Sequence, residues 1–382
     1  HIKLFGEPAP MDRYLFMTLV TDGYGGLEHR NSTSLMSPRT DLPLLTDGPD
    51  QVRDGYRSYL GLCSHEYFHT WNVKRIKPEA FTPFDLSREV HTELLWAFEG
   101  ITSYYDDLSL ARTGLITPES YLELLGQTLT RVYRGRGRFK QTVTESSFDA
   151  WTRFYKQDEN APNAIVSYYA KGSLVALALD LTLRERTNDA RSLDDLMRLL
   201  WQRHGQTGVG VPEQGVQALA EEVAGGDLSD FFNQALYRTE DLPLEALLAE
   251  RGVTVNWRPA DGHSDNGGKP GKSRPPVHLG ARFASDPQGA RLQVAYEQGA
   301  AMEAGLAAGD VVVAVDGLKA SAGNLDTLLA GYQEGERVDV HAFRRDELMR
   351  FTVTLAASEA DTAYLTLDGD GLSAKGRAWL LG

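Results

Sequence analysis

Cysteine is nearly absent: Cys63 is the one cysteine among 382 residues. No intramolecular disulfide can form, so nothing in the chain indicates an oxidising compartment. Long apolar runs are missing too. The longest, Gly172–Leu183 (GSLVALALDLTL), is interrupted by Asp180 and falls short of the ~18 residues that a membrane span needs. Cationic residues are outnumbered, with 39 Lys and Arg against 53 Asp and Glu and a formal charge of −14. Nucleic acid is therefore not expected as a main partner, since phosphate binding needs clustered Lys and Arg. The one basic run, Arg131–Lys140 (RVYRGRGRFK), reads as a solvated face or loop. No leader peptide is visible, and the chain opens on His1 without a methionine, so an upstream portion is expected to be missing. The compartment, cytoplasm or periplasm, stays open for what reads as a soluble protein.

The length exceeds that of one ordinary core and implies two or three domains. Residues 1–50 read as strands and turns, with Tyr14–Val20 a strand ahead of the turn-rich TDGYGG. Residues 51–258 read as a helical domain. Thr117 is placed to cap one helix, with Pro118 at its first position, and Ser192 to cap another that stops at Gly205. Residues 259–276, rich in Gly, Pro and Ser, read as a linker. Residues 277–360 carry short β-like runs between Gly-rich turns, and residues 361–382 read as a weakly ordered or docked tail. The fold class is thus α+β and multidomain: a short β segment, a mostly helical domain and a small β-rich domain.

The stretch Leu62–Asn72 (LCSHEYFHTWN) holds the spacing His-Glu-x-x-His. On a helix, positions four apart share a face, so His65 and His69 can reach one metal ion. Glu66 projects about 100° away around the helix and can act as base toward a water at that ion. Cys63 reads as a small buried helix residue rather than a nucleophile. A lone match of this pattern is a weak signal, and a catalytic zinc needs a third ligand and an open position. Residues Glu93–Asp107 read as a return helix, reached once the first helix ends near Pro78. On it, Glu99 lies among Trp96, Phe98 and Ile101, where an unpaired charge is costly unless it holds a metal. Glu93 is the rival, at the helix start where acids are common. Asn72, Ser103, Asp106 and Asp107 could orient the histidines and are not ranked.

These motifs together resemble a known family. HEYFH followed by WAFEGITSYY is similar to the aminopeptidase N-like zinc peptidases, and YYAKGSLVAL matches that clan's Tyr-x-Lys-Gly motif. GGLEHRNST stands in place of its Gly-x-Met-Glu-Asn motif, with Leu27 and His29 replacing Met and Asn. The nearer resemblance is to the glycyl aminopeptidases within that clan, which combine these motifs with the WNVKRI run and a C-terminal PDZ domain. The resemblance implies a thermolysin-like catalytic domain with one Zn2+ per chain on His65, His69 and Glu99. It implies Glu66 as general base, Tyr169 as oxyanion donor, and Gly26, Leu27 and Glu28 as substrate-binding residues, with Glu28 anchoring the substrate's free α-ammonium. Tyr168 reads as the core neighbour of Tyr169. The clan also places substantial β structure ahead of the Glu28 motif, which this chain has no room for.

Pro275–Phe283 and Glu297–Gly317 resemble a PDZ domain, which implies a peptide C-terminus bound by the loop Leu279, Gly280, Ala281 and Arg282. The expected activity is removal of N-terminal Gly or Ala from peptides with a free amine. Two other readings are a zinc endopeptidase whose PDZ domain presents substrates, and a catalytically silent PDZ adaptor.

Overall fold

The computed structural model describes residues 1–48, 51–271, 277–369 and 371–382. Part of the expected linker, residues 272–276, therefore lies outside the described residues. Near the N-terminus, β1 (Leu15–Val20), β2 (Gly25–Glu28) and β3 (Ser32–Ser37) form a sheet in the order β1-β3-β2. β1 runs parallel to β3 and β2 antiparallel to it, which leaves β2 as an edge strand.

Helix α1 (Asp54–Phe68) packs beside α2 (Ile101–Arg112), and α3 (Pro118–Arg134) follows. Thr117 caps α3 by accepting from the Ser120 N–H at 3.2 Å, with Pro118 at the first position. Helix α4 (Ala170–Arg186) runs through the middle of the domain. Its Leu174–Leu179 are at most 2 % exposed, so the apolar run that looked too short for a membrane is a helix buried all round. The interrupting Asp180 is fully buried and satisfied. It accepts from Tyr104 Oη (2.5 Å), Arg184 Nε (3.1 Å) and the Leu193 N–H (2.9 Å).

The expected return helix begins differently from its reading. Residues 93–94 form a turn, Trp96–Gly100 form one π-helical turn, and only then does α2 start. The cause is a close crossing: a Cβ on Gly100 would lie 2.5 Å from the carbonyl carbon of Gly172 on α4. The two backbones touch where neither residue has a side chain.

The chain leaves the helical body after Val253–Arg258 and builds a second sheet. Its strands lie in the order Glu347–Thr354, Arg337–Arg344, Val311–Val315, Ala290–Ala295, Ala281–Ser285, over a separate apolar core. It then returns. Thr362–Leu367 pairs antiparallel with Val253–Arg258, and the terminal helix Ala374–Leu380 docks through the fully buried Trp379. Trp379 Nε1 donates to Tyr104 Oη at 2.9 Å.

The basic run also differs from its reading. Arg134 pairs with Asp361 (3.2 Å), Arg136 with Glu359 (2.7 Å) and Lys140 with Glu297 (2.6 Å). Arg138 is 8 % exposed and pairs with Asp241 at 3.0 Å. The run is a seam rather than a solvated face: Arg134 and Arg136 meet the segment that returns from the second sheet, Lys140 reaches Glu297 beside that sheet, and Arg138 pairs within the helical body.

Candidate metal centre and its surroundings

Helix α1 ends at Phe68, and His69 is its C-cap, so the helix stops well short of Pro78. The chain turns sharply there because polar groups close the end. His69 Nδ1 bonds the Asn72 carbonyl at 2.8 Å, and the Lys74 N–H donates to His69 O at 3.0 Å. Between them Val73 takes φ 132°, a conformation that a β-branched side chain rarely adopts. The strained turn serves the site on both sides. The Asn72 amide donates to Ala97 O (3.1 Å), Phe98 O (3.3 Å) and Thr102 Oγ1 (3.2 Å), which ties the end of α1 to the π turn.

That tie brings Glu99 to the histidines. Its Oε2 lies 3.4 Å from His65 Nε2 and 3.3 Å from His69 Nε2, and one ligand atom from each residue lies within 4.8 Å of the others. The distal ring nitrogens are engaged, His65 Nδ1 with Asp106 Oδ2 at 3.1 Å and His69 Nδ1 with the Asn72 carbonyl. Both Nε2 atoms therefore face inward. Glu99 Oε2 is buried and has no hydrogen-bond partner. Of the four unranked candidates, Asp106 and Asn72 contact the histidines, and Asp107 instead donates its N–H to Asp106 Oδ1 at 2.6 Å; Ser103 bonds neither histidine among the described residues. Glu93 lies apart, its N–H on Glu213 and its carboxylate near Tyr237 Oη.

Electrostatics favour positive charge at this point. Burial pulls the His65 imidazole down, but Asp106 and Glu99 outweigh it and push it up to about 10. His69 is raised against burial by Glu99. Burial would raise Glu99, yet His69 and His65 hold its carboxyl far below the ordinary range. Two carboxylates thus stabilise a cation between them, whether protons or a metal ion carry the charge. Two imidazoles and a carboxylate with inward, unshared lone pairs fit a zinc ion.

Glu66 is 4 % exposed, and its Oε2 is buried without a partner. Burial raises its carboxyl, opposed by His69 and His65. Strand β2 crosses directly over it: a Cβ on Gly26 would sit 2.2 Å from Glu66 Oε1. Glycine is needed at residue 26 for this approach. Leu27 is exposed, and Glu28, two residues along the strand, pairs through Oε1 with Lys74 Nζ at 2.9 Å. Tyr169 is the residue before α4, and its ring lies nearly parallel to that of His65 with centroids 6.3 Å apart. Burial, then the nearby Glu99, pushes its hydroxyl far up, so it stays protonated. Its Oη lies 2.9 Å from Tyr155 Oη. Neither Tyr155 nor Lys74 was among the candidates. Both contacts cross turns, and spacing carries no signal of them.

The loop Leu279–Arg282 lies elsewhere, along a cavity of about 690 Å³ between the second sheet and α3. His65, Glu66, His69 and Glu99 do not line that cavity. The Gly280 N–H, one donor expected to capture a carboxylate, already donates to His278 Nδ1 at 2.6 Å. Cys63, expected buried, is half-buried, and burial pushes its thiol up. Among the described residues no helix is long and apolar enough to cross a membrane.

The chain is similar to known proteins. Residues 58–175 match the profile of the M61 glycyl aminopeptidase family. No curated protein matches the chain. A crystal structure of an aminopeptidase N family protein from Idiomarina loihiensis superposes with a TM-score of 0.95 at 44% identity, covering 99% of this chain. The present chain spans 64% of the length of that protein. An HtrA-type protease AlgW with decapeptide (20% identity, 22% of this chain, 30% of that one) and a serine endoprotease from Yersinia pestis (18%, 22%, 29%) overlap only locally. Their TM-scores are 0.21 and 0.20, too low to carry an argument.

Proposed function

We propose that this chain, carrying an M61 glycyl aminopeptidase domain, is a zinc-dependent aminopeptidase that removes small N-terminal residues, Gly and Ala, from peptides. The observation that carries the reading is the convergence of His65 Nε2, His69 Nε2 and Glu99 Oε2, with the orphaned carboxylate of Glu66 beside them. His65, His69 and Glu99 would hold the zinc. Zinc in that position supplies Lewis acidity, which polarises the scissile carbonyl and makes water nucleophilic near neutral pH.

The chain's own residues do the rest. Glu66 takes the water's proton and returns it to the leaving amine. Tyr169 donates to the oxygen on which negative charge develops. The free edge of β2 presents backbone groups along which an extended peptide lies, with Gly26 allowing close approach to Glu66. Glu28 binds the α-ammonium. Its present partner, Lys74, stands where that cation would be, so binding exchanges one ammonium for another. The second sheet we read as a PDZ-like unit whose free edge strand, Ala281–Ser285, borders the 690 Å³ cavity and can receive a peptide C-terminus.

The test is hydrolysis of Gly-, Ala- and Leu-anilides beside N-acetyl-Gly-anilide, with chelation and zinc add-back. Cleavage of the free-amine Gly and Ala substrates only, abolished by chelator, supports the reading. Cleavage of the acetylated substrate would favour an endopeptidase. Zinc bound without any turnover would favour an adaptor.

A further inference from the structure

Three tyrosine hydroxyls form a chain beside the metal centre. Tyr168 Oη donates to Tyr155 Oη at 3.1 Å, and Tyr155 Oη lies 2.9 Å from Tyr169 Oη. The rings are fixed against one another: Tyr168 stacks on Tyr169 with centroids 4.7 Å apart, and Phe154 stacks on Tyr169 at 5.6 Å and packs tilted against Tyr168 at 4.7 Å. Tyr168 is fully buried, so the Tyr155 oxygen takes up its proton. Tyr155 comes from the short 3₁₀ turn Phe154–Lys156, across the site from α4, and its ring is largely exposed.

Each hydroxyl has one proton, and that restricts the arrangement. Once Tyr155 accepts from Tyr168, its own proton points either to Tyr169 or to solvent. If it points to solvent, Tyr169 donates to Tyr155 and its proton is spent there. If it points to Tyr169, the Tyr169 proton is free to meet the oxygen that gains charge on the substrate. The second arrangement lets Tyr169 act as an oxyanion donor while keeping its hydrogen bond to Tyr155. A hydroxyl that accepts one hydrogen bond also donates the next one more strongly, because successive bonds polarise one another.

We infer that Tyr155 is a positioning residue for Tyr169: it accepts from Tyr168 and donates to Tyr169, which aims the Tyr169 proton at the reacting oxygen. The inference rests on the reading of Tyr169 as oxyanion donor. It gives Tyr168 a part as well, as the buried end of the chain that sets the direction of all three protons. No proton is transferred along the chain; the bonds only orient and polarise.

The experiment compares Tyr155→Phe, Tyr169→Phe and the double variant, each with zinc content and thermal melting checked. Tyr155→Phe keeps the ring and is expected to lower kcat on Gly-anilide about 5- to 10-fold with KM unchanged, the size of one neutral hydrogen bond. Tyr169→Phe is expected to lose roughly 10²–10³ in kcat. In the Tyr169→Phe background, Tyr155→Phe should have no further effect. Calorimetry with a phosphinic dipeptide analogue bearing an N-terminal glycine gives a readout without turnover. Its tetrahedral oxyanion should bind Tyr155→Phe several-fold more weakly, while glycinamide binding stays unchanged.

The outcomes separate cleanly. If Tyr169→Phe keeps full activity, the oxyanion reading fails and this inference falls with it. If Tyr169→Phe is impaired but Tyr155→Phe is not, the oxyanion reading stands and the inference alone is overturned. An equal loss from Tyr155→Phe in both backgrounds would mean a merely structural role and would also overturn it.

Discussion

Glu66 and the two histidines sit together at the end of α1, yet their environments give them different work. Both Nε2 atoms point at Glu99, whereas the Glu66 carboxylate meets strand β2 and has an oxygen with no partner. Glu66→Gln should therefore retain one zinc per chain by metal analysis and lose turnover. Zinc lost together with activity would place Glu66 among the ligands. Asp106 acts at one remove, through His65 Nδ1 at 3.1 Å. Asp106→Asn should weaken zinc affinity by about 10- to 100-fold, as removal of a ligand's orienting partner does. Competition with a chromophoric chelator measures it, and unchanged affinity would remove Asp106 from the centre.

At the scale of elements, the site depends on a contact between two glycines. The π turn bearing Glu99 and the start of α4, which Tyr169 precedes, approach so closely that a Cβ on Gly172 would lie 3.0 Å from Gly100 Cα and from Trp96 O. Gly172→Ala should cost about 1–3 kcal/mol by overpacking. It should also reduce kcat, because separating the two backbones moves Glu99 from Tyr169. Urea melts and kinetics on the same samples test this; a stable variant of full activity would show that the crossing can relax. This contact also explains why the return helix could not be read correctly. Periodicity across Glu93–Asp107 fits a continuous helix, and the extra residue of the π turn is dictated by a glycine more than seventy positions on.

For the whole molecule, the C-terminal residues belong to the helical body. Thr362–Leu367 completes a ribbon with Val253–Arg258, and Trp379 is buried against Tyr104 and Tyr121 on α2 and α3. Helix α2 also carries Asp106, so the docked tail and the candidate metal centre both rest on one element. Trp379→Ala should cost about 3–5 kcal/mol. Equilibrium denaturation that shows less than about 1 kcal/mol would mean the tail contributes little. The second sheet, inserted between these two strands, is held to the body by Lys140 on Glu297 and by the Asn163 amide on the Ala295 carbonyl, and Arg136 holds its return segment through Glu359.

What the sequence determined by itself was local or chemically costly. Spacing of four put His65 and His69 on one helical face, Thr117 and Ser192 announced their helices, and the isolation of Glu99 among aromatic residues marked a charge in need of a partner. These follow from backbone geometry and desolvation, which act over a few residues. Only the tertiary structure decided the rest. It ended α1 at Phe68 through a strained Val73, chose Asp106 and the Asn72 carbonyl as partners of the histidines, turned a basic run into a seam, and set Tyr155 against Tyr169. Each of these joins groups from separate segments, and such contacts depend on how whole elements cross, which no periodicity along the chain records.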